Sequence, residues 1–446
     1  MIAGIIIAAS ALAFDAGADL RIRQEIMDNV PGLPGGGVLS SSERNKINHM
    51  RFRPRIWGEI KGETEEWGKW RLYTRITDEM RWYISPKKDT YTWPDEAIID
   101  NLFIEGKGLF DGTTDISIGR QDIYALYGLD HVFVDGTPGD GSRTVYADLV
   151  KLGFKVTEKS RLDFFAIYNS DDNALRWGTT RGNHRHLSAV DPTSEPGADD
   201  VGYGMIWSSE LNEAIPYQLF VISKTACAYS DSDGKRHPKQ QRETFGMKTV
   251  PKITEELSLQ FEAMAQTGEN GDHAALSGWS SYAGLNWKSV REGWKPFAKI
   301  GYHFMSGDEN AADEDGGHGS WDPIWARGVN DSEMFLYGTH YGVGYWTNMH
   351  YLKTTLGVEI DKNHRLTTSF GPMFAAAKDG LGGGEGAFKG FLSQIRYDFP
   401  LWTPDRSAGE RFEIFGHLVG EWFNPGDYYE TDRPAWFVRW QVDFRF

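Results

Sequence analysis

The chain ends AWFVRWQVDFRF, residues 435–446. Trp436, Val438, Trp440, Val442, Phe444 and Phe446 share one parity; Phe437, Arg439, Gln441, Asp443 and Arg445 take the other. Successive side chains of an extended strand point to opposite faces, so this stretch has one apolar, aromatic face and one mostly charged face. That is the pattern of a strand with lipid on one side and water on the other. A soluble sandwich strand alternates in the same way, so the choice rests on the rest of the chain.

Working back from that end, helical periodicity is nearly absent and alternation recurs throughout. Eighteen strands are expected, at 19–27, 46–60, 67–82, 98–108, 113–121, 142–154, 160–170, 201–209, 215–226, 241–250, 254–266, 279–290, 296–306, 346–360, 364–377, 387–399, 409–422 and 435–446. The link after each odd strand is longer, as in 28–45, 122–141, 171–200 and 307–345, and the link after each even strand is shorter, as in 61–66, 155–159 and 361–363. Short turns at one end and long loops at the other are how outer-membrane barrels are built. The expected fold is therefore all-β: a transmembrane antiparallel β-barrel of about 18 strands, with short periplasmic turns and long extracellular loops. Both termini then lie on the periplasmic side, and the expected location is the bacterial outer membrane.

Composition agrees and removes other classes. The chain has 446 residues, 14% of them aromatic, and its mean hydropathy is −0.48, which fits many half-buried strands joined by polar links. With 51 Gly and 18 Pro it is neither collagen-like nor disordered. A net charge of −16 argues against nucleic acid as a partner. The single cysteine, Cys227, permits no intramolecular disulfide and no thiolate zinc cluster. No apolar run approaches the ~18 residues of a spanning helix. Residues 1–14, MIAGIIIAASALAF, read as the remnant of an export signal, with Ala11 and Ala13 suiting a cleavage site; residues 15–446 then form one barrel domain.

A closed barrel of this size encloses water, so the inward parity defines the function. RFRPRIWGEI sets Arg51, Arg53 and Arg55 against Phe52, Pro54 and Ile56; WRLYTRITDEMRW sets Arg71, Tyr73 and Arg75 against Trp70, Leu72 and Ile76; ADLRIRQEI sets Arg21 and Arg23 against Leu20 and Ile22. Lys107, Lys299, Lys353, Arg365, Arg396 and Arg439 fall on the same inward parity in later strands, together with Arg242 and Lys248. Inward acids such as Glu25, Glu59, Glu79 and Glu105 are fewer, so an acidic chain hides a basic channel. Rings of Arg and Lys attract anions into pores, and the planar fork of Arg suits carboxylates.

Several short motifs resemble those of the bacterial alginate export outer-membrane porins. They are Ile118-Gly119-Arg120-Gln121 closing a strand, Ser306-Gly307-Asp308, Trp321-Asp322-Pro323-Ile324-Trp325 in the following long loop, Asn348, and the terminal Asp443-Phe444-Arg445-Phe446. The resemblance implies an eighteen-stranded barrel whose arginine-rich pore passes an anionic uronate polysaccharide outward. It carries over to the luminal basic positions, Arg51, Arg53, Arg55, Arg71 and Arg75 above all, and to Arg120 by its motif. Arg120 shares parity with Ile116 and Ile118, so to face water it has to lie beyond the lipid edge or past a bulge at Gly119.

Other chemistry is weakly represented. The acidic stretch Asp308–Asp315 misses the spacing of a calcium loop and reads as a solvated loop. His184, His186, His303 and His350 lack metal-ligand spacing. No nucleotide or nucleophile fingerprint occurs, so neither a cofactor nor catalysis is expected. Trp321, Trp325, Phe335 and Tyr337 either fold inward as a constriction or pack on the barrel rim. Three functions stay open: export of an anionic polysaccharide, with periplasmic export partners; uptake of small anions or acidic oligosaccharides; and a surface β-protein that holds or cleaves glycan.

Overall fold

The computed structural model describes residues 10–29, 46–64, 68–85, 97–122, 126–129, 131–133, 146–169, 176–177, 199–230, 236–271, 274–310, 319–325, 332, 334, 347–378, 380–405, 407, 409–430 and 432–446. Eighteen strands form a closed antiparallel barrel. They are β1 (Ser10–Asp28), β2 (Ile47–Thr64), β3 (Gly68–Thr77, resumed as Met80–Ser85), β4 (Ala97–Gly108), β5 (Thr114–Asp122), β6 (Tyr146–Thr157), β7 (Ser160–Asn169), β8 (Asp200–Glu210) and β9 (Pro216–Ala226). The second half contains β10 (Gln240–Thr249), β11 (Leu257–Asn270), β12 (Ala275–Lys288), β13 (Lys295–Met305), β14 (Met349–Glu359), β15 (Arg365–Phe374), β16 (Phe388–Trp402), β17 (Glu413–Pro425) and β18 (Ala435–Arg445). Each strand pairs with its chain neighbours, and β18 returns to β1, with Ile22 opposite both Phe52 and Val442. Closure leaves the barrel no open sheet edge, which a lipid environment requires.

All eighteen expected strands are present, with three differences. First, β1 begins at Ser10, where Ala13 and Phe14 pair with Lys61 and Ile60; the last residues of the expected export segment are thus drawn into a strand, and residues 1–9 lie outside the described ones. Second, the third strand is interrupted at Asp78 and Glu79. Pro54 of β2 stands opposite the gap and has no N–H to continue the ladder; only its carbonyl is used, by the Asp78 N–H (3.1 Å). The register is the same on both sides, Arg55 facing Thr77 and Phe52 facing Met80. Third, the link expected at 267–278 shrinks to 271–274, because β11 and β12 run on past their expected ends. Outside the barrel wall, Arg176–Trp177 pairs with Ala97–Ile98 and Tyr229–Ser230 with Arg236–His237.

The outer parity is a band of exposed apolar side chains, among them Leu72, Ile104, Ile118, Leu219, Ile300, Leu356, Ile395 and Val438. Aromatic residues flank it at the turn end: Trp294, Trp402 and Phe446 are all exposed, and the Phe446 N–H donates to Ala18 O (2.9 Å), which pins the last residue to the seam. No helix among the described residues is long and apolar enough to cross a membrane; the strands cross it.

Candidate functional site: the lumen

The inner face has two different halves. The first is a seam of arginines centred on β18, β1, β2 and β3. Because the strands are in register, inward residues line up in rows across them. Arg445 faces Asp19, which faces Arg55; Asp443 faces Arg21, which faces Arg53; Gln441 faces Arg23, which faces Arg51 and then Arg81; Arg439 faces Glu25, which faces His49. Carboxylates sit between the cations. Glu25 binds Arg23 (3.0 Å), Arg51 (3.2 Å) and His49 (2.7 Å). Glu79, in the gap of β3, accepts from Arg51 Nε (2.6 Å) and Arg81 Nε (3.3 Å). Asp19 takes Arg55 (2.8 Å) and Arg53 (3.7 Å). The Arg21, Arg23 and Arg439 side chains are fully buried in this network, and Arg439 also donates to His417 Nε2 (3.0 Å).

Further along, Arg71 holds Glu105 (2.7 Å) and Glu59 (3.6 Å), while Lys107 stands 3.6 Å from Glu105. Arg75 binds Asp100 (2.7 Å) and Asp122 (2.8 Å). Tyr73 lies between the Trp57 and Phe103 rings. The other expected positions are spread over later strands of the wall. Arg396 grips Asp398 with paired bonds of 2.9 and 3.0 Å. Lys299 lies over the Tyr282 ring and Arg365 over Phe297, at 5.1 and 4.7 Å from the centroids, and Lys353 faces Gly301 of β13.

Arg120 is placed differently. It pairs with Leu102 on the outer parity, and the register of β5 is unbroken despite a φ of +125° at Gly119, so no bulge turns it inward. Its guanidinium is clamped by Asp148 (2.8 and 2.9 Å), donates to Ile99 O (3.1 Å) and lies over the Tyr146 ring. It is a clasp between β4, β5 and β6, near the loop end of the wall, and does not join the seam.

The second half of the inner face carries docked loop segments. Loop residues 126–129, 131–133 and 319–325 pack against inner-face residues of β6 to β14, so the part of the loop that carries Trp321 and Trp325 folds inward and not onto the rim. Phe335 and Tyr337 of that loop, like His184, His186 and Asp313–Asp315, lie outside the described residues. Trp325 stacks on Phe133 (5.3 Å, interplanar 8°), and both join an apolar cluster with Phe165, Ile206, Phe220, Met264 and Met305. Two wall glycines make the seat: a Cβ on Gly202 would come within 2.3 Å of the Trp325 ring, and one on Gly278 within 3.1 Å of the Trp321 Cα.

Polar wall residues fix the segments in place. Gln266 donates to Asp322 O (2.7 Å) and accepts from the Asp322 N–H (3.0 Å). Lys224 Nζ donates to Ile324 O (2.9 Å), Lys248 Nζ to Gly128 O, and Arg242 pairs with the Asp322 carboxylate (3.1 Å). Burial pushes the Asp322 carboxyl up, but Lys224, Arg242 and the Ile324 N–H outweigh it and hold it below the usual range. His131 lies 2.6 Å from Ser280 Oγ and 3.1 Å from His303 Nδ1. Arg242 and Lys248, inward cations in the sequence, are thus engaged in holding loops.

Sequence reasoning missed the acids Asp19 and Asp100 and the loop anchors Lys224 and Gln266. Asp19 shares parity with Arg21 but stood at the expected strand start. Asp100 is the extra residue of a register shift between Arg75–Asn101 and Ile76–Ile99, which simple alternation assigns to the lipid face.

A closed eighteen-stranded barrel with an apolar outer band and a polar, loop-narrowed lumen defines a bacterial outer-membrane channel. Solved structures agree on the fold. Pseudomonas aeruginosa OccK7 (OpdD) is similar at 12% identity, covering 97% of this chain and 98% of that one, with a TM-score of 0.55. Acinetobacter baumannii OccAB1 follows at 8%, 98%, 99% and 0.56, and P. aeruginosa OprD at 10%, 98%, 96% and 0.53. No match was found among curated protein sequences. The alginate export family model matches residues 14–379, and the chain belongs to that family.

Proposed function

We propose that the protein is a passive channel whose arginine seam draws an anionic solute through the outer membrane, the solute being an acidic polysaccharide of the uronate type. The observation that carries this reading is a set of like-charged residues placed directly opposite one another: Arg21 with Arg53, Arg23 with Arg51, Arg51 with Arg81, Lys61 with Arg71, and Lys69 with Lys107. Like charges in facing positions destabilise a sheet, and buried cations cost more still. A wall built only for stability would alternate the signs. Concentrating cations on four adjacent strands makes sense where an anion is to be attracted, and family membership agrees. Arg51, Arg53, Arg55, Arg71 and Arg75 form the core of the proposed lining, with Lys107, Lys299, Lys353, Arg365 and Arg396 extending it, while the fully buried Arg21, Arg23 and Arg439 contribute through their field.

No catalytic step or cofactor enters this function. The solute moves between weak, closely spaced sites, attraction being strong enough to fill the pore and weak enough to release it. A second reading, uptake of small anions or acidic oligosaccharides, draws support from the inward-folded segments, which narrow the passage.

The test is the reversal potential of refolded protein in planar bilayers under a KCl gradient. Anion selectivity is expected, reduced in a double variant Arg53→Gln with Arg55→Gln. Glutamine is chosen over glutamate because two carboxylates, Asp19 and Asp443, already lie in these rows. Cation selectivity of the wild-type channel would remove the anionic solute and leave the barrel untouched.

A further inference from the structure

Below the seam, toward the turns, the inner wall of β2, β3 and β4 carries three aromatic rings in a strip. Trp57 and Tyr73 are near parallel (centroids 6.2 Å apart, interplanar 23°), and Tyr73 and Phe103 are 5.5 Å apart. A Cβ on Gly17 would come within 2.6 Å of the Trp57 ring, so this indole lies along the wall of β1. None of the three rings belongs to the apolar cluster around the docked loops. Trp57 and Tyr73 are only partly buried, although an aromatic facing a water-filled lumen forgoes much of the gain of burial.

Over the Tyr73 and Phe103 end of the strip stands Arg71, its guanidinium 5.4 Å from the Tyr73 centroid and 5.0 Å from that of Phe103. Its side chain is 32% exposed, against 0–21% for Arg23, Arg51, Arg53, Arg55 and Arg75. Glu59 and Glu105 contact Arg71, but each is also contacted by a lysine, Lys61 and Lys107. The patch is therefore net positive, and the five N–H donors of a guanidinium are not exhausted by two carboxylates.

We propose that this strip is a binding subsite for a pyranose ring that carries a carboxylate. The apolar C–H face of the sugar lies on Trp57 and Tyr73, and its carboxylate meets Arg71. Apolar platforms with a few convergent polar groups are the usual composition of small-molecule sites. The inference rests on the acidic-polysaccharide reading and narrows it: an inorganic anion has no use for the rings, and a neutral sugar has no use for Arg71.

The experiment measures block of the single-channel current of the refolded full chain by a uronate oligosaccharide and by a neutral gluco-oligosaccharide of equal length. The variants are Trp57→Leu with Tyr73→Leu, which keeps apolar bulk and removes the rings, and Arg71→Gln; heat-modifiable gel mobility checks that each barrel has assembled. In the double variant the half-blocking concentration of the uronate should rise about tenfold, the size of a lost aromatic contact or two. In Arg71→Gln the preference for the uronate over the neutral sugar should vanish. Unchanged block in the double variant would overturn the subsite. If the double variant does not assemble, Tyr73→Leu alone decides by the same criterion. The reversal potential reports the parent reading separately. Should the wild-type channel prefer cations, that reading fails, and block by the neutral sugar then judges the ring platform: weakening in the double variant keeps it, equality removes it.

Discussion

Asp322 ties its loop segment to the inner wall at three points. Its backbone is held at both polar atoms by Gln266, and its carboxylate by Arg242. Because the docked state depresses the Asp322 pKa, its carboxylate favours docking above the ordinary value of ~3.9, and that contribution is lost as pH falls through the lower docked-state value. Single-channel conductance should therefore be steady from neutral pH down to the ordinary carboxylate range and rise below it. Asp322→Asn should raise conductance already at neutral pH and abolish the acid-dependent step. An acid step that survives in Asp322→Asn would assign the response to another group. Alternation could not have shown Asp322 in this role, because its partners Gln266 and Arg242 lie far away in sequence and meet it only when the loop folds inward.

At the scale of elements, the docked segment depends on absences in the wall. Gly202 of β8 and Gly278 of β12 leave the space into which Trp325 and the backbone at Trp321 fit. Gly202→Val with Gly278→Val keeps both strands, since β-branched residues suit them, but fills the seat. Conductance of this variant should increase with barrel assembly unchanged; an unaltered conductance would mean that these segments do not limit the passage. The strands themselves were legible in the sequence because lipid on one side and water on the other impose strict alternation, as along Trp436–Phe446. What alternation cannot register is an irregularity. The register shift at Asp100 turns an apparent lipid-facing acid toward Arg75. Among the carboxylates that contact the seam arginines, alternation left out Asp100, at such an irregularity, and Asp19, at the expected strand start. The resemblance to the family rested on motifs that the structure uses in separate ways: Trp321–Trp325 as a segment docked on the inner wall, Asn348 as a bridge to Ala377 (3.0 and 2.8 Å), and Arg120 as a clasp to Asp148.

For the molecule as a whole, the charges divide by depth. The chain carries −16 overall, yet its most buried large polar side chains include Arg21, Arg23 and Arg439. Lys61, Arg71 and Lys107 are far more open to the lumen. Exposed charges are screened over a Debye length that shrinks from ~30 Å at 0.01 M salt to ~3 Å at 1 M, whereas buried charges are screened much less. The two sets therefore make separable contributions to permeation. Anion-to-cation permeability ratios, measured with a fixed KCl gradient at rising mean concentration, should fall steeply as the exposed lysines and Arg71 are screened. They should then level off above unity, at a plateau set by the buried seam. Lys61→Gln with Lys107→Gln should remove most of the steep part and leave the plateau, while Arg53→Gln with Arg55→Gln should lower the plateau itself. A ratio independent of salt would mean that passage is sorted by width at the docked loops and not by charge. A ratio that decays to unity would mean that the buried arginines are neutralised by Glu25, Glu79 and Asp19, and that the exposed patch beside the aromatic strip alone attracts the anion.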